Sequence, residues 1–316
     1  MVGYNPKREI KLSHTGYAVA GAISGAVSRA VSQPLDVLKI RFQLQVEPIS
    51  SKSSSKYSGI RQAFKTILKE EGIKAFWKGH IPAQILSVTY GIAQYASFEL
   101  LTLLTWRHLP EKFTNEYRPI THTICGALAG CIATGFSLPI DVMRTRFVAQ
   151  GNNKIYKSLA LGLYSITKTE GYRGLYKGFT PAIVQIGPQM GLQFGFYALF
   201  VQIWDKTFSH IEGDLPGIAQ SLICGSGAGV VSKIIIYPLD VLKKRLQIQG
   251  FEEGRRDFGV TREYSNFRHC CITMATEEGL RGFYKGLSPS LLKAAVVAGT
   301  NLCAYDQICK LFQHIL

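Results

Sequence analysis

Pro34-Leu35-Asp36-Val37-Leu38-Lys39-Ile40-Arg41 returns as Pro139-Ile140-Asp141-Val142-Met143-Arg144-Thr145-Arg146 and again as Pro238-Leu239-Asp240-Val241-Leu242-Lys243-Lys244-Arg245. The prolines stand 105 and 99 residues apart in a chain of 316, close to one third of its length. Recurrence at a fixed period is the mark of stacked copies of one unit. The chain is read as a tail over residues 1–12 followed by repeats over 13–112, 113–213 and 214–316.

Around the first motif the sequence is apolar enough for a bilayer. Residues 179–204 carry no charge and residues 119–141 carry none before Asp141, while a spanning helix needs only about 20 mostly apolar residues. Further stretches near 16–38, 81–106, 217–239 and 287–309 hold isolated charges: Arg29, Asp36, Glu99, Lys233, Lys293 and Asp306. Facing lipid, each would cost about 2.5–3.5 kcal/mol, so they are expected to face an aqueous interior. Six spans around a polar cavity follow. The balance of 36 basic to 21 acidic residues, net +15, fits a membrane surface. The basic runs Lys243 to Arg245 and Arg255-Arg256 lie beside it, so no nucleic-acid partner is expected.

Each motif proline removes a backbone donor. Because the amphipathic pattern runs on past Pro34, Pro139 and Pro238, these are expected to kink helices rather than end them. Thirteen residues upstream of each proline begins a Gly-x3-Gly pair (Gly21/Gly25, Gly126/Gly130, Gly225/Gly229), expected to let helices approach closely. A polar loop follows, with the low-complexity stretch at 47–56, and then a second signature. It reads Glu71-Gly72 to Trp77-Lys78-Gly79, Glu170-Gly171 to Tyr176-Lys177-Gly178, and Glu278-Gly279 to Tyr284-Lys285-Gly286. Tyr57, Tyr156 and Tyr264 precede its last glycine by 22 residues each time, so length varies only between proline and tyrosine. An aromatic ring, a cation and a glycine at the start of a span suit an anionic-lipid site, with a simple interfacial anchor as the plainer reading.

Enzyme readings fail on inventory. There is no phosphate-binding Gly-x4-Gly-Lys loop and no HExxH pair, and the seven cysteines form no CxxC metal pattern. No metal or cofactor is expected.

Both signatures resemble those of the mitochondrial carrier family, P-x-(D/E)-x-x-(K/R)-x-(K/R) and (D/E)-G-x4-(W/Y/F)-(K/R)-G, over nearly the whole chain. The resemblance implies an all-α membrane protein with six transmembrane helices in three pseudo-threefold repeats and short helices on the matrix side. It also implies a multi-pass monomer of the mitochondrial inner membrane, bound to cardiolipin or another anionic lipid, that transports rather than catalyses. The matrix gate is then Asp36 with Arg144, Asp141 with Lys243 and Asp240 with Lys39, braced by Gln43 and Gln247, with Val148 at the second repeat's brace position. The opposite gate is Glu99, Tyr197, Tyr305 and Asp306, which lack the family's following base.

For the cavity, Gln185, Gln189, Gln193 and Tyr197 recur every four residues, as do Lys293, Val297, Asn301 and Tyr305, and Leu86, Tyr90 and Gln94. The family's contact positions fall on Leu86, Gln185 and Lys293 and on Arg29, Thr134 and Lys233. Arg29, Lys233 and Lys293 together suit a diphosphate. Closer similarity in Met1 to Tyr4, Ile40 to Gln45, Ala75 to Ser87, Cys224 to Lys233 and Gly286 to Ala295 resembles those members that carry thiamine pyrophosphate. That implies thiamine pyrophosphate as cargo, exchanged for a nucleotide or phosphate counter-substrate. The glutamines and Gln94 would meet its pyrimidine, and Tyr90 or Tyr197 would stack on a ring. A carrier of adenine nucleotides, deoxynucleotides or a nucleotide cofactor needs the same cations, and a proton-leak protein of the same fold needs no cargo at all.

Overall fold

A computed structural model describes residues 14–49, 55–108, 118–151, 155–208, 214–259 and 261–315; the tail over 1–12 and part of the 47–56 stretch lie outside them. The spans are α1 (His14–Leu44), α3 (His80–His108), α4 (Arg118–Ala149), the pair α6 (Phe179–Val184) and α7 (Ile186–Phe208), α8 (Asp214–Gln247) and α10 (Leu287–Ile315). Between the two spans of each repeat lies a short amphipathic helix: α2 (Ile60–Glu71), α5 (Leu159–Thr169) and α9 (Phe267–Glu277).

By length and composition alone, three stretches among the described residues are apolar enough to cross a membrane: Ile120–Ala149, Gln220–Gln247 and Gly279–Phe312. The first span falls short because it turns Ser24, Ser28, Ser32, Gln33 and Asp36 inward, all of them buried. Polar groups that protein shields from lipid are tolerated in a span.

Pro34, Pro139 and Pro238 all lie inside helices. Pro34 frees the carbonyl of Ala30, four residues back; the Trp77 indole N–H donates to it at 3.1 Å. The fourth span contains a break that its charge-free composition did not reveal. Pro188 cannot donate to the carbonyl of Val184, and the helix is interrupted at Gln185 between α6 and α7.

Side by side, α1 packs along α10, α3 along α4, and α7 along α8. The ends of α1, α4 and α8 beyond the prolines converge on one another. The expected glycine-to-helix approach holds in the second repeat, where a Cβ on Gly130 would come within 3.2 Å of Ile186. In the first and third, Gly21, Gly25, Gly225 and Gly229 have no such neighbour within 4 Å, and Gly229 instead lines the cavity.

Tyrosine follows the motif proline by 23, 17 and 26 residues in the three repeats, and the longest link ties all three repeats together. Phe251 stacks on Tyr156 with ring centroids 5.0 Å apart. Arg255 donates to the Leu44 carbonyl at 2.8 Å. Phe258 enters the core formed by Leu38, Phe42, Tyr57, Ile67 and Phe76, beneath the Arg41 guanidinium at 4.8 Å.

Candidate functional site

Three carboxylates of the proline motif meet bases of the neighbouring repeat where α1, α4 and α8 converge. Arg144 reaches Asp36 at 2.7 Å, Lys243 reaches Asp141 at 2.8 Å, and Lys39 reaches Asp240 at 3.2 Å. The acid-to-base offset of three residues puts both on one helical face. Convergence of three such faces lets each acid find a base more than 100 residues away.

Two bases join this ring without having been expected there. Lys244 is buried and donates to Asp141 at 2.8 Å, to Thr145 at 3.0 Å and to Gln247 at 2.9 Å. Lys293, assigned from sequence to the cargo, instead grips both Asp36 oxygens at 2.7 and 2.8 Å. Its long side chain reaches the ring from nearly two turns into α10.

Of the two expected braces, Gln247 serves as one: its Nε2 donates to Asp141 at 2.9 Å. Gln43 does not touch the Lys39–Asp240 pair. Its Nε2 donates to the Tyr237 hydroxyl at 3.1 Å, and that hydroxyl in turn donates to the Lys285 carbonyl at 3.1 Å. Tyr237, just ahead of Pro238, intercepts the glutamine; Gln33 and Leu138 occupy the matching positions in the other repeats.

Beneath the ring, the last arginine of each proline motif joins the glutamate and lysine of the second signature in three equivalent clamps. Arg41 binds both oxygens of Glu71 at 2.5 and 2.8 Å, and Lys78 binds Glu71 while donating to the carbonyls of Gln150 and Gly151 at 3.0 and 2.8 Å. Arg146, Glu170 and Lys177 repeat this against the Gln249 carbonyl, which Lys177 reaches at 2.9 Å. Arg245, Glu278 and Lys285 close the circle on the carbonyls of Gln45 and Val46. Each clamp covers the unpaired carbonyls at the end of the next repeat's helix, where a cation is favoured by the helix dipole.

This corrects the lipid assignment of Lys78, Lys177 and Lys285, whose ammonium groups are committed inside the protein. Gly79, Gly178 and Gly286 are likewise buried at positive φ, against Arg144, Lys243 and Lys39 respectively, too close for a Cβ. The rings of Trp77, Tyr176 and Tyr284 are exposed. Burial alone would raise the Glu71 and Glu170 carboxyls, yet the hydrogen bonds from their arginine and lysine partners hold both below the ordinary value.

A further threefold feature escaped the sequence reading. Gln45, Gln150 and Gln249, each eleven residues past the proline, accept from the backbone N–H of Tyr57, Tyr156 and Tyr264 at 3.0, 3.2 and 2.8 Å. Their identical offset was the available signal.

Above the ring the cavity has two lobes. One, of about 360 Å3, is lined by Arg29, Leu86, Tyr90 and Thr134 and floored by Asp141, Arg144, Asp240 and Lys243. The other, of about 560 Å3, is lined by Gln185, Gln189, Gln193, Ser232 and Lys233, and shares Asp240. Arg29 and Lys233 thus line the two lobes. Gln94 is half-buried and Tyr197 exposed, and neither lines these lobes. Asn301 accepts from Ser24 at 2.7 Å across the α1–α10 contact. At the far end Glu99 and Asp306 are exposed and Tyr305 half-buried.

A family described as Mitochondrial carrier protein matches residues 11–108, 115–207 and 215–316. The chain is 46% identical over 318 residues to the Mitochondrial thiamine pyrophosphate carrier of Bos taurus, covering 100% of this chain and 98% of the relative. It is 47% identical over 315 residues to the Homo sapiens protein of the same name, covering 99% and 97%. With the Mitochondrial thiamine diphosphate carrier 2 of Zea mays it shares 39% over 310 residues, 92% of each chain. Three matched repeats, six spans and a threefold ring of ion pairs agree: the chain belongs to the mitochondrial carrier family.

Proposed function

We propose that this multi-pass protein exchanges thiamine pyrophosphate for a nucleotide or phosphate counter-substrate across the mitochondrial inner membrane by alternating access. The observation that carries the reading is the two-lobed cavity. Arg29 and Lys233 line its lobes and a glutamine ladder runs up one wall, above a floor of ion pairs. Relatives named as thiamine pyrophosphate carriers support the choice of cargo.

In this reading Asp36, Asp141 and Asp240 with their bases form the matrix gate. The acids Asp36 and Asp141 are buried, and desolvation offsets much of the attraction between such pairs, so the ring holds the gate by a few kcal/mol at most. A cargo can then open it by a matching differential affinity. The diphosphate binds Arg29 and Lys233 and draws Lys293 off Asp36, which leaves Arg144 as the remaining partner of that carboxylate. Cargo binding and gate release thereby share one lysine. Gln185, Gln189 and Gln193 supply donors and acceptors to the aminopyrimidine.

Purified protein in liposomes loaded with thiamine pyrophosphate, and offered thiamine pyrophosphate, ADP, deoxynucleotides or phosphate outside, tests the reading. Saturable counter-exchange of thiamine pyrophosphate is expected. Exchange confined to nucleotides would reassign the cargo, and proton flux without exchange would remove it.

A further inference from the structure

The link of the third repeat leaves and returns at one glutamine. Gln249 accepts from the Tyr264 N–H at 2.8 Å and donates to the Arg262 carbonyl at 3.0 Å, which closes the neck of an Ω-type loop on its own repeat. The body of that loop, stiffened by a 3-10 turn over Glu253–Phe258, packs on the other two repeats. Phe251 stacks on Tyr156 and enters the core that α1 and α4 share. Phe258 has the Arg41 and Lys56 cations 4.8 and 4.5 Å from its ring centre. Among the described residues it is the one member of the first repeat's core drawn from another repeat. Arg255, 5% exposed, donates to the carbonyl of Leu44, the last residue of α1, at 2.8 Å.

Nothing returns the favour. Among the described residues the third repeat's own core holds residues of that repeat alone, and the corresponding links at 46–56 and 151–155 contain no aromatic residue. We infer that residues 250–259 are a strap that pins the matrix end of the first repeat to the third, and that Phe258 and Arg255 leave the first repeat whenever the matrix gate opens. The neck moves with the third repeat while Phe258 is lodged in the first. Packed cores do not stretch, so parting those two ends withdraws the ring and breaks the bond to Leu44. The strap therefore adds to the ion-pair ring a closing force that breaks the threefold symmetry. This rests on the alternating-access reading above.

Thiol labelling of a cysteine placed below the ring, over the background of the native cysteines and without cargo, reads how often the matrix ends part. Phe258→Ala is expected to speed labelling about tenfold, and Arg255→Leu, which leaves the core filled, about threefold. Ile67→Ala empties the same core from within the first repeat and cuts no tie to the third. It should lower the unfolding temperature much as Phe258→Ala does, yet leave labelling within about twofold of wild type. Equal acceleration in Phe258→Ala and Ile67→Ala, or none in Arg255→Leu, overturns the strap. Where Phe258→Ala does not fold, Arg255→Leu against Ile67→Ala decides. Because these measurements need no cargo, a wild type that fails to exchange thiamine pyrophosphate removes the cargo reading and leaves the strap to be judged by its labelling. Exchange that proceeds while the cysteine below the ring stays inaccessible removes alternating access, and the strap with it.

Discussion

Lys293 grips both carboxylate oxygens of Asp36, at 2.7 and 2.8 Å, although 257 residues separate them. The lysine is one of the cargo contacts expected from sequence, and the aspartate belongs to the ion-pair ring that also holds Arg144 at 2.7 Å. In the proposed exchange, cargo recognition and closure meet at this one ammonium group.

Lys293→Gln should accordingly act twice. Loss of a charge-assisted contact worth about 1.5–3 kcal/mol weakens cargo about ten- to a hundredfold. Loss of the Asp36 partner also loosens the closed state. Uptake affinity, together with labelling of a cysteine placed below the ring, measures the two effects, and labelling should rise while affinity falls. Unchanged affinity would remove Lys293 from the cargo site.

Charge reversal should rescue the three pairs unequally. Asp240 has Lys39 as its ion-pair partner, whereas Asp36 also binds Lys293, and Asp141 also binds Lys244 and Gln247. Lys39→Asp with Asp240→Lys should recover most exchange relative to its single mutants. Asp141→Lys with Lys243→Asp should recover least, because Lys244 then faces a new lysine. Equal recovery at matched protein levels would contradict the shared anchoring of Asp141.

The clamps set an acid limit. Glu71 and Glu170 are held below the ordinary carboxyl value of 4.5 by their arginine and lysine partners, despite burial that acts the other way. A depressed folded-state value means the contribution is complete above about 4.5 and is lost as pH falls through the lowered value. The thermal midpoint of the detergent-solubilised protein should drop below that pH. Glu71→Gln should lower the midpoint at pH 7 and flatten part of the acid dependence.

Phe258→Ala should be among the costlier changes outside the spans. Its ring fills the core of the first repeat from the third repeat's link, and emptying such a site costs about 3–5 kcal/mol. Trp77→Phe, by contrast, removes one N–H donated to the carbonyl freed by Pro34, and should cost about 1 kcal/mol. Unfolding temperatures of the two variants should rank in that order.

From the sequence by itself came the triplication, the six spans, the prolines within helices, and the acid–base offsets that ring the axis. These are local or periodic properties: a three-residue offset fixes a helical face, and a period repeated three times fixes symmetry. Tertiary structure alone decided the partners of the long cations. Lys78, Lys177 and Lys285 read as anionic-lipid contacts beside an aromatic, but they cap a neighbouring repeat's helix carbonyls because that helix ends within their reach. Lys244 and Lys293 join the ring, and Gln43 turns to Tyr237, for the same reason. A flexible charged or amide side chain takes whichever complementary group folding brings to about 3 Å, and that group lies in another repeat, out of view of any local pattern.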